Sequence, residues 1–322
     1  MKDPHESEPR LPGYRSDEQQ EAWLTALNEA LANIALPPAS SAVDPATLPI
    51  IYIVGAPRSG TTLLSQLVSR YLDVGYIDNL IARFWLRPSV GIRLSEIILG
   101  PNRRESIAMT SRHGSTSGAS GPHEFGYFWR RWLNLDRAPT HHLDEQALAE
   151  LDMDGLRDEL QREILATFGR PTVFKNVICG FQAEWLTRVH PRSIFVHISR
   201  EVEPTTASIL QSRFDRYGSY EAWWSLKPST FEEIQRLTDP VSQVSKQIED
   251  CRREFDRELT RPGVTSIAVD YQDMCRRPDA VLRRICEAVG RLGVALAPLD
   301  PMPPVFEPSK GPVLPPGLRM PR

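Results

Sequence analysis

Four cysteines in a chain of 322 residues are few, and Cys179, Cys251, Cys275 and Cys286 are scattered without paired close spacing. Neither a zinc site nor a disulfide framework is expected, and buried, inert thiols are. A surplus of basic charge is missing too. The 38 Lys and Arg are outnumbered by 41 Asp and Glu, for a net charge of −3. No general attraction to a nucleic-acid backbone follows, so anion recognition has to be local. No stretch approaches the roughly 20 apolar residues of a membrane span. The N-terminal Met1-Lys2-Asp3-Pro4-His5-Glu6-Ser7-Glu8 is acidic where a signal peptide would be basic and then apolar. We therefore expect a soluble, cytoplasmic protein. Internal repeats are absent as well.

The absence that says most is a single lysine. Ile50-Ile51-Tyr52-Ile53-Val54 reads as a buried strand, running through Gly55-Ala56-Pro57-Arg58-Ser59-Gly60 into a helix that starts at Thr61-Thr62-Leu63-Leu64. Strand, Gly-rich loop and helix N-terminus together form a phosphate cradle. In a Walker A loop the second Gly is followed by Lys and then Ser or Thr. Here Gly60 is followed by Thr61 and Thr62, and the loop's cation is Arg58. It is built for an anion other than the γ-phosphate of ATP.

Apolar periodicity organises the rest of the chain. Residues 1–16 should be a loose tail, followed by a helix from Glu18 to Leu36 and a Pro, Ala and Ser linker from Pro37 to Pro49. Leu63, Leu64, Leu67, Val68 and Tyr71 make one apolar helix face. Strands are expected at Thr172–Lys175, Ser193–Ser199 and Val264–Val269. Helices are expected over Asp152–Phe168, Trp185–Val189, from about Pro204, along Val241–Phe255 and over Ala280–Val289. Alternating strands and helices predict an α/β fold: one doubly wound parallel sheet of P-loop type, flanked by helices, in a single domain with helical additions. The expected divisions are a tail and helix over 1–47, the α/β domain over 48–296 and a Pro-rich segment over 297–322. Arg104 to Pro122, rich in Gly and Ser, reads either as a mobile active-site loop or as a plain surface loop.

A second cation stands at the end of an apolar run, where Ser199-Arg200 turns into a helix carrying Ser208. An arginine at a strand end and a hydroxyl two helical turns later could face one anion. Two anion sites on one sheet edge suit a nucleotide with phosphate at both ends. On these residues the chain resembles the sulfotransferases that use 3′-phosphoadenosine-5′-phosphosulfate (PAPS), bacterial and tyrosylprotein-type members above all. Gly55-Ala56-Pro57-Arg58-Ser59-Gly60-Thr61-Thr62 resembles their 5′-phosphosulfate loop, and Arg200 and Ser208 their 3′-phosphate pair. Val269-Asp270-Tyr271-Gln272-Asp273-Met274 with Arg277-Pro278 resembles a late family segment, with Gln272 where Glu is usual.

The resemblance implies PAPS as co-substrate, with no metal, bound by Arg58, Ser59, Gly60, Thr61, Thr62, Leu63, Arg200 and Ser208, with Tyr271 near the adenosine. It implies that Lys175 neutralises charge on the bridging oxygen beside Arg58. A hydroxyl acceptor also needs a general base. Glu124 comes first, His123 second and Asp78 third, and the residues themselves leave the choice open. The acceptor could be a small molecule, a glycan or a peptide, with Tyr127, Trp129, Trp132, Tyr220, Trp223 and Trp224 as stacking surfaces. Phe306 to Gly311 could close over the nucleotide, and a homodimer is admitted. The rival readings are a P-loop kinase or NTPase, with Asp270 holding magnesium, and an inactive binding protein on the same fold.

Overall fold

The computed structural model describes residues 9–35, 37, 43–112, 114–299, 301–314, 318 and 320. The start of the expected tail, Leu36 and the middle of the Pro37–Pro49 linker lie outside them. Seven strands are formed: β1 (Ile50–Val54), β2 (Gly75–Tyr76), β3 (Ser111–Arg112), β4 (Ser115–Thr116), β5 (Thr172–Lys175), β6 (Ser193–Ser199) and β7 (Thr265–Asp270). Five make one wholly parallel sheet in the order β2-β5-β1-β6-β7. The pair β3 and β4 is a separate antiparallel hairpin.

β1 lies at the centre because all five of its residues are apolar and both its faces are covered, the pattern of a parallel strand buried on two sides. On one face Tyr52 stands in register with Phe174 and Phe195. Its ring stacks on theirs at 5.9 and 4.9 Å, with Trp129 edge-on at 5.8 Å. Each fully buried side chain of this size contributes about 1.5–3 kcal/mol. On the other face Ile51, Ile53, Ile194 and Val196 pack against Leu64, Leu67 and Val68 of the helix Thr61–Tyr71 and Leu282 and Ile285 of the helix Pro278–Arg291. The edge strand β7 alternates buried and open positions because one of its faces is less covered.

The long helix expected over Asp152–Phe168 is present with a π-helical middle, Leu160–Leu165, and Asp152 caps its first turn. A helix at Pro88–Leu99, opened by its proline, goes beyond the sequence reading. The N-terminal segment is not loose where it is described. Leu11 N–H donates to Arg216 O at 2.6 Å, and the Arg216 guanidinium sits over the Tyr14 ring at 5.3 Å. The helix Glu18–Ala32 is pinned by buried Asn28, whose Nδ2 donates to Arg83 O at 2.8 Å and whose Oδ1 accepts from Leu86 N–H at 3.0 Å. All four cysteines are buried and unbridged, as expected. Among the described residues no helix is long and apolar enough to cross a membrane.

Candidate active site

The site follows from the strand order. β1 feeds the half of the sheet that holds β5 and β2, while its neighbour β6 feeds β7 on the other side. The order in which strands are added reverses between them, although all run parallel, and the loops after β1 and β6 part at their C-terminal ends to leave a crevice. There the structure has a cavity of about 1150 Å³.

At its floor the phosphate loop ends on Gly60, and the following helix has no side-chain cap on its first N–H groups. Those donors and the positive end of the helix favour an anion. Arg58 takes a left-handed backbone, φ 65°, uncommon for a residue with a Cβ. Its Nε donates to Ser208 Oγ at 2.8 Å. Arg200 donates from Nη1 to Arg58 O at 3.4 Å, and its guanidinium lies over the Tyr271 ring at 4.4 Å. Arg58, Arg200, Ser208 and Tyr271, chosen on sequence, are thus brought together. Burial, then the charges of Arg200 and Arg216, lower the pKa of Arg58. Cations crowded in this way favour an anion between them. Thr61, Thr62 and Leu63 also line the cavity. Ser59 does not: its side chain is fully buried beneath the loop, with Oγ 2.8 Å from where a Cβ on Gly55 would lie. Its expected place among the side chains that bind the donor is corrected on that ground.

Lys175 ends β5 and stands in register with Ile53 of β1, one strand from the loop. Its Nζ is paired with the Glu124 carboxylate, and Asn176 Nδ2 donates to Glu124 O at 3.0 Å. The Glu124 side chain is 48% exposed and lines the cavity. Its surroundings tend to raise the carboxyl pKa by burial, and the charge and hydrogen bond of Lys175 outweigh that and lower it. His123 lies beside it. His123 Nδ1 accepts from Phe125 N–H at 2.9 Å, and burial pulls the imidazole pKa down to about 4. A neutral ring whose Nδ1 accepts carries its proton on Nε2, so it offers a donor, not a base.

Asp78 is fully buried. Its Oδ1 accepts from Ile81 N–H at 2.7 Å, and its Oδ2 accepts from Ser95 Oγ at 2.5 Å and Arg103 Nε at 2.7 Å. With both oxygens occupied and none facing the cavity, it holds a turn in place, which corrects its candidacy as a base. Asp270, the magnesium ligand of the rival reading, caps the helix Tyr271–Arg276 by accepting from Gln272 and Asp273 N–H.

Three segments from elsewhere in the chain cover the crevice. The Gly- and Ser-rich stretch lies over the phosphate loop: Thr62 Oγ1 donates to Gly114 O at 3.2 Å, and Gln66 Nε2 to Ala108 O and Thr110 O. The late segment lies over Tyr271, whose Oη accepts from Ser309 N–H at 3.2 Å, and Arg200 Nη2 donates to Ser309 O. Arg10 comes from the N-terminal segment. Of the six aromatic residues expected to stack on an acceptor, Trp224 alone lines the cavity. Trp129 and Trp223 are buried in apolar clusters. Tyr127 is tied to Glu21 through its hydroxyl at 2.5 Å.

Residues 49–292 match the model of the family described as the sulfotransferase family, well over half of the chain. The chain belongs to the sulfotransferase family. Among solved structures this sulfotransferase is similar to sulfotransferase STF9 from Mycobacterium avium, at 18% identity and a TM-score of 0.45 over 85% of this chain and 71% of that one. It is also similar to sulfotransferase STF1 from Mycobacterium tuberculosis H37Rv, at 14% identity and a TM-score of 0.43 over 84% and 72%. A sulfotransferase from Alicyclobacillus acidocaldarius matches at 18% identity and a TM-score of 0.39 over 83% and 87%. No curated protein matches the sequence. The helix Glu18–Ala32 and the segment Phe306–Ser309 lie outside the matched span, yet both pack on this sulfotransferase core.

Proposed function

We propose that this sulfotransferase draws its sulfuryl group from PAPS and passes it to an acceptor hydroxyl, with Glu124 as the general base. The observation that carries this reading is the Glu124–Lys175 pair, a carboxylate and a cation set together beside an anion loop that lacks the Walker lysine.

The residues fit the donor. Arg58, Thr61, Thr62 and the first N–H groups of the helix would hold its phosphosulfate end, Arg200 and Ser208 its 3′-phosphate, and Tyr271 would lie beside the adenosine. Bound PAPS supplies a sulfuryl group on a phosphate leaving group. The protein contributes position and charge rather than a covalent bond. Lys175, one strand from the loop, brings positive charge to where negative charge gathers. As it turns toward an anion there it lets go of Glu124. Burial then dominates at Glu124, raises its affinity for a proton and makes it the stronger base toward the acceptor O–H. His123, neutral and donating from Nε2, orients an oxygen in the same cavity.

The test is a titration of 3′,5′-adenosine bisphosphate (PAP) against ATP with and without magnesium. Metal-independent binding of PAP, lost in Arg200→Ala, is expected, and preference for Mg–ATP would sink the donor assignment. Glu124→Gln should keep bisphosphate affinity and lose transfer; surviving turnover would place the base elsewhere.

A further inference from the structure

Arg58, Arg200 and Lys175 account for the donor. Arg10, Arg83 and Arg216 also line the cavity, in a protein whose overall charge is negative. Arg83 is the most telling. It closes the turn Ile81–Arg83, and that turn is held from both sides. Asp78 accepts from Ile81 N–H through Oδ1 at 2.7 Å and from Ala82 N–H through its carbonyl at 3.0 Å, while Arg83 O accepts from Asn28 Nδ2 at 2.8 Å. The backbone is anchored, but the Arg83 guanidinium, exposed on the cavity wall, has no hydrogen-bond or ion-pair partner among the described residues. A buried Asp78–Arg103 network thus supports a turn whose outermost side chain is an unpaired cation.

Its place is beside Glu124. The chain that leads into its turn holds the Glu124 segment, with His123 N–H donating to Ile77 O at 2.8 Å and Asp78 bridged to Pro122, and Arg83, His123 and Glu124 line the same cavity. In keeping with this, the Arg83 charge helps to lower the pKa of His123. Arg216, stacked over Trp224 at 5.3 Å, acts on both Arg58 and Glu124 and so lies between the two ends. A guanidinium presents a planar fork that matches a carboxylate or sulfate in two parallel hydrogen bonds. Walls that hold water back strengthen its field.

We propose that the acceptor of this sulfotransferase bears an anionic group, a carboxylate or a sulfate, in addition to its reacting hydroxyl, and that Arg83 is the residue that selects it. The inference rests on the reading of Glu124 as the acceptor end. An uncharged acceptor would leave Arg83 without a counter-charge on the cavity wall, whereas an anionic one is drawn in and turned so that its hydroxyl meets Glu124.

The probes are 4-hydroxybenzoate and its uncharged counterpart 4-hydroxybenzamide, titrated calorimetrically into the PAP-saturated protein. The acid should bind at least about tenfold more tightly than the amide, within the range of a charge-assisted hydrogen bond. In Arg83→Gln the ratio should fall to about twofold or less while PAP affinity is unchanged. Equal binding of the two probes, binding of neither, or a ratio that persists in Arg83→Gln overturns the proposal. If PAP itself fails to bind, the donor assignment falls, and the same titration without PAP still judges Arg83. Because the side chain makes no hydrogen bond or ion pair among the described residues, Arg83→Gln should melt near the wild-type temperature, and a matching melt shows that a changed ratio is not due to misfolding.

Discussion

The Tyr271 ring lies so close over Gly60 that a Cβ on Gly60 would come within 2.5 Å of Tyr271 Cδ2. Gly60 also has φ 106°, a conformation that residues with a Cβ rarely adopt. The loop's last residue is thereby tied to the aromatic residue that carries Arg200 on its face. Gly60→Ala should cost about 1–3 kcal/mol in backbone strain alone and push Tyr271 aside. Lower melting temperature and weakened bisphosphate binding are expected together, and a variant that matches wild type in both would contradict the packing described.

Ser208 accepts from Arg58 Nε and so fixes where the guanidinium points. Ser208→Ala removes that acceptor, and loss of one such bond is worth about 1.5–3 kcal/mol when a charge takes part. Bisphosphate affinity should fall by about ten- to 150-fold with little change in melting temperature. Arg58→Lys should not preserve affinity, since an ammonium cannot reproduce the fork. Calorimetric titration of both variants reads the two effects.

Opposing influences set the Glu124 carboxyl. Burial raises its pKa and Lys175 lowers it below the ordinary value, with Lys175 prevailing. Glu124 acts as a base only when deprotonated, so the acid limb of kcat/KM should lie at or below the usual carboxylate range. Lys175→Met removes the lowering influence and leaves burial, which should carry the limb to higher pH. A pH–rate profile with an unmoved limb would exclude Glu124 as the titrating base.

Asp78 should matter for stability and not for chemistry. Asp78→Ala leaves the buried Arg103 guanidinium without its counter-charge, at a cost of about 3–5 kcal/mol. Denaturant unfolding should show that loss, while the fraction that remains folded should keep a Glu124-like pH profile. Loss of the acid limb in Asp78→Ala would restore Asp78 as a candidate base.

His123 makes stability fall on acidification. Its pKa is about 4 in the folded protein against 6.5 for the free side chain, so between these values the unfolded chain binds the extra proton. The neutral imidazole's contribution is whole above about pH 6.5 and is lost as pH falls toward 4, to a limit of about 3 kcal/mol. Urea unfolding at pH 7 and pH 4.5 should show a smaller difference for His123→Gln than for wild type.

Secondary structure and the anion loop could be read from the chain because their signals are local. An apolar run, a glycine that permits a left-handed turn, and Arg200 with Ser208 two turns on along the next helix lie close in sequence. The parallel, doubly wound sheet followed from the alternation of such units. The acceptor end could not be read in this way. Glu124 and Lys175 are 51 residues apart and meet because β5 lies beside β2, and the chain just after β2 holds the Glu124 segment through Ile77 O and the Asp78–Pro122 bridge. Three acidic or imidazole candidates looked alike as residue types, and their roles were separated by long-range contacts: Ser95 and Arg103 take up Asp78, Phe125 N–H fixes the His123 tautomer, and Lys175 holds Glu124. Likewise Trp129 and Trp224 differ only in what packs on them. Backbone geometry and phosphate chemistry are written in neighbouring residues, so the sequence determined the fold class and the anion loop. Desolvation and charge pairing depend on residues brought together from far along the chain, so only the tertiary structure decided which carboxylate meets Lys175 at the cavity, which is buried against Arg103, and which arginine stands exposed on the cavity wall.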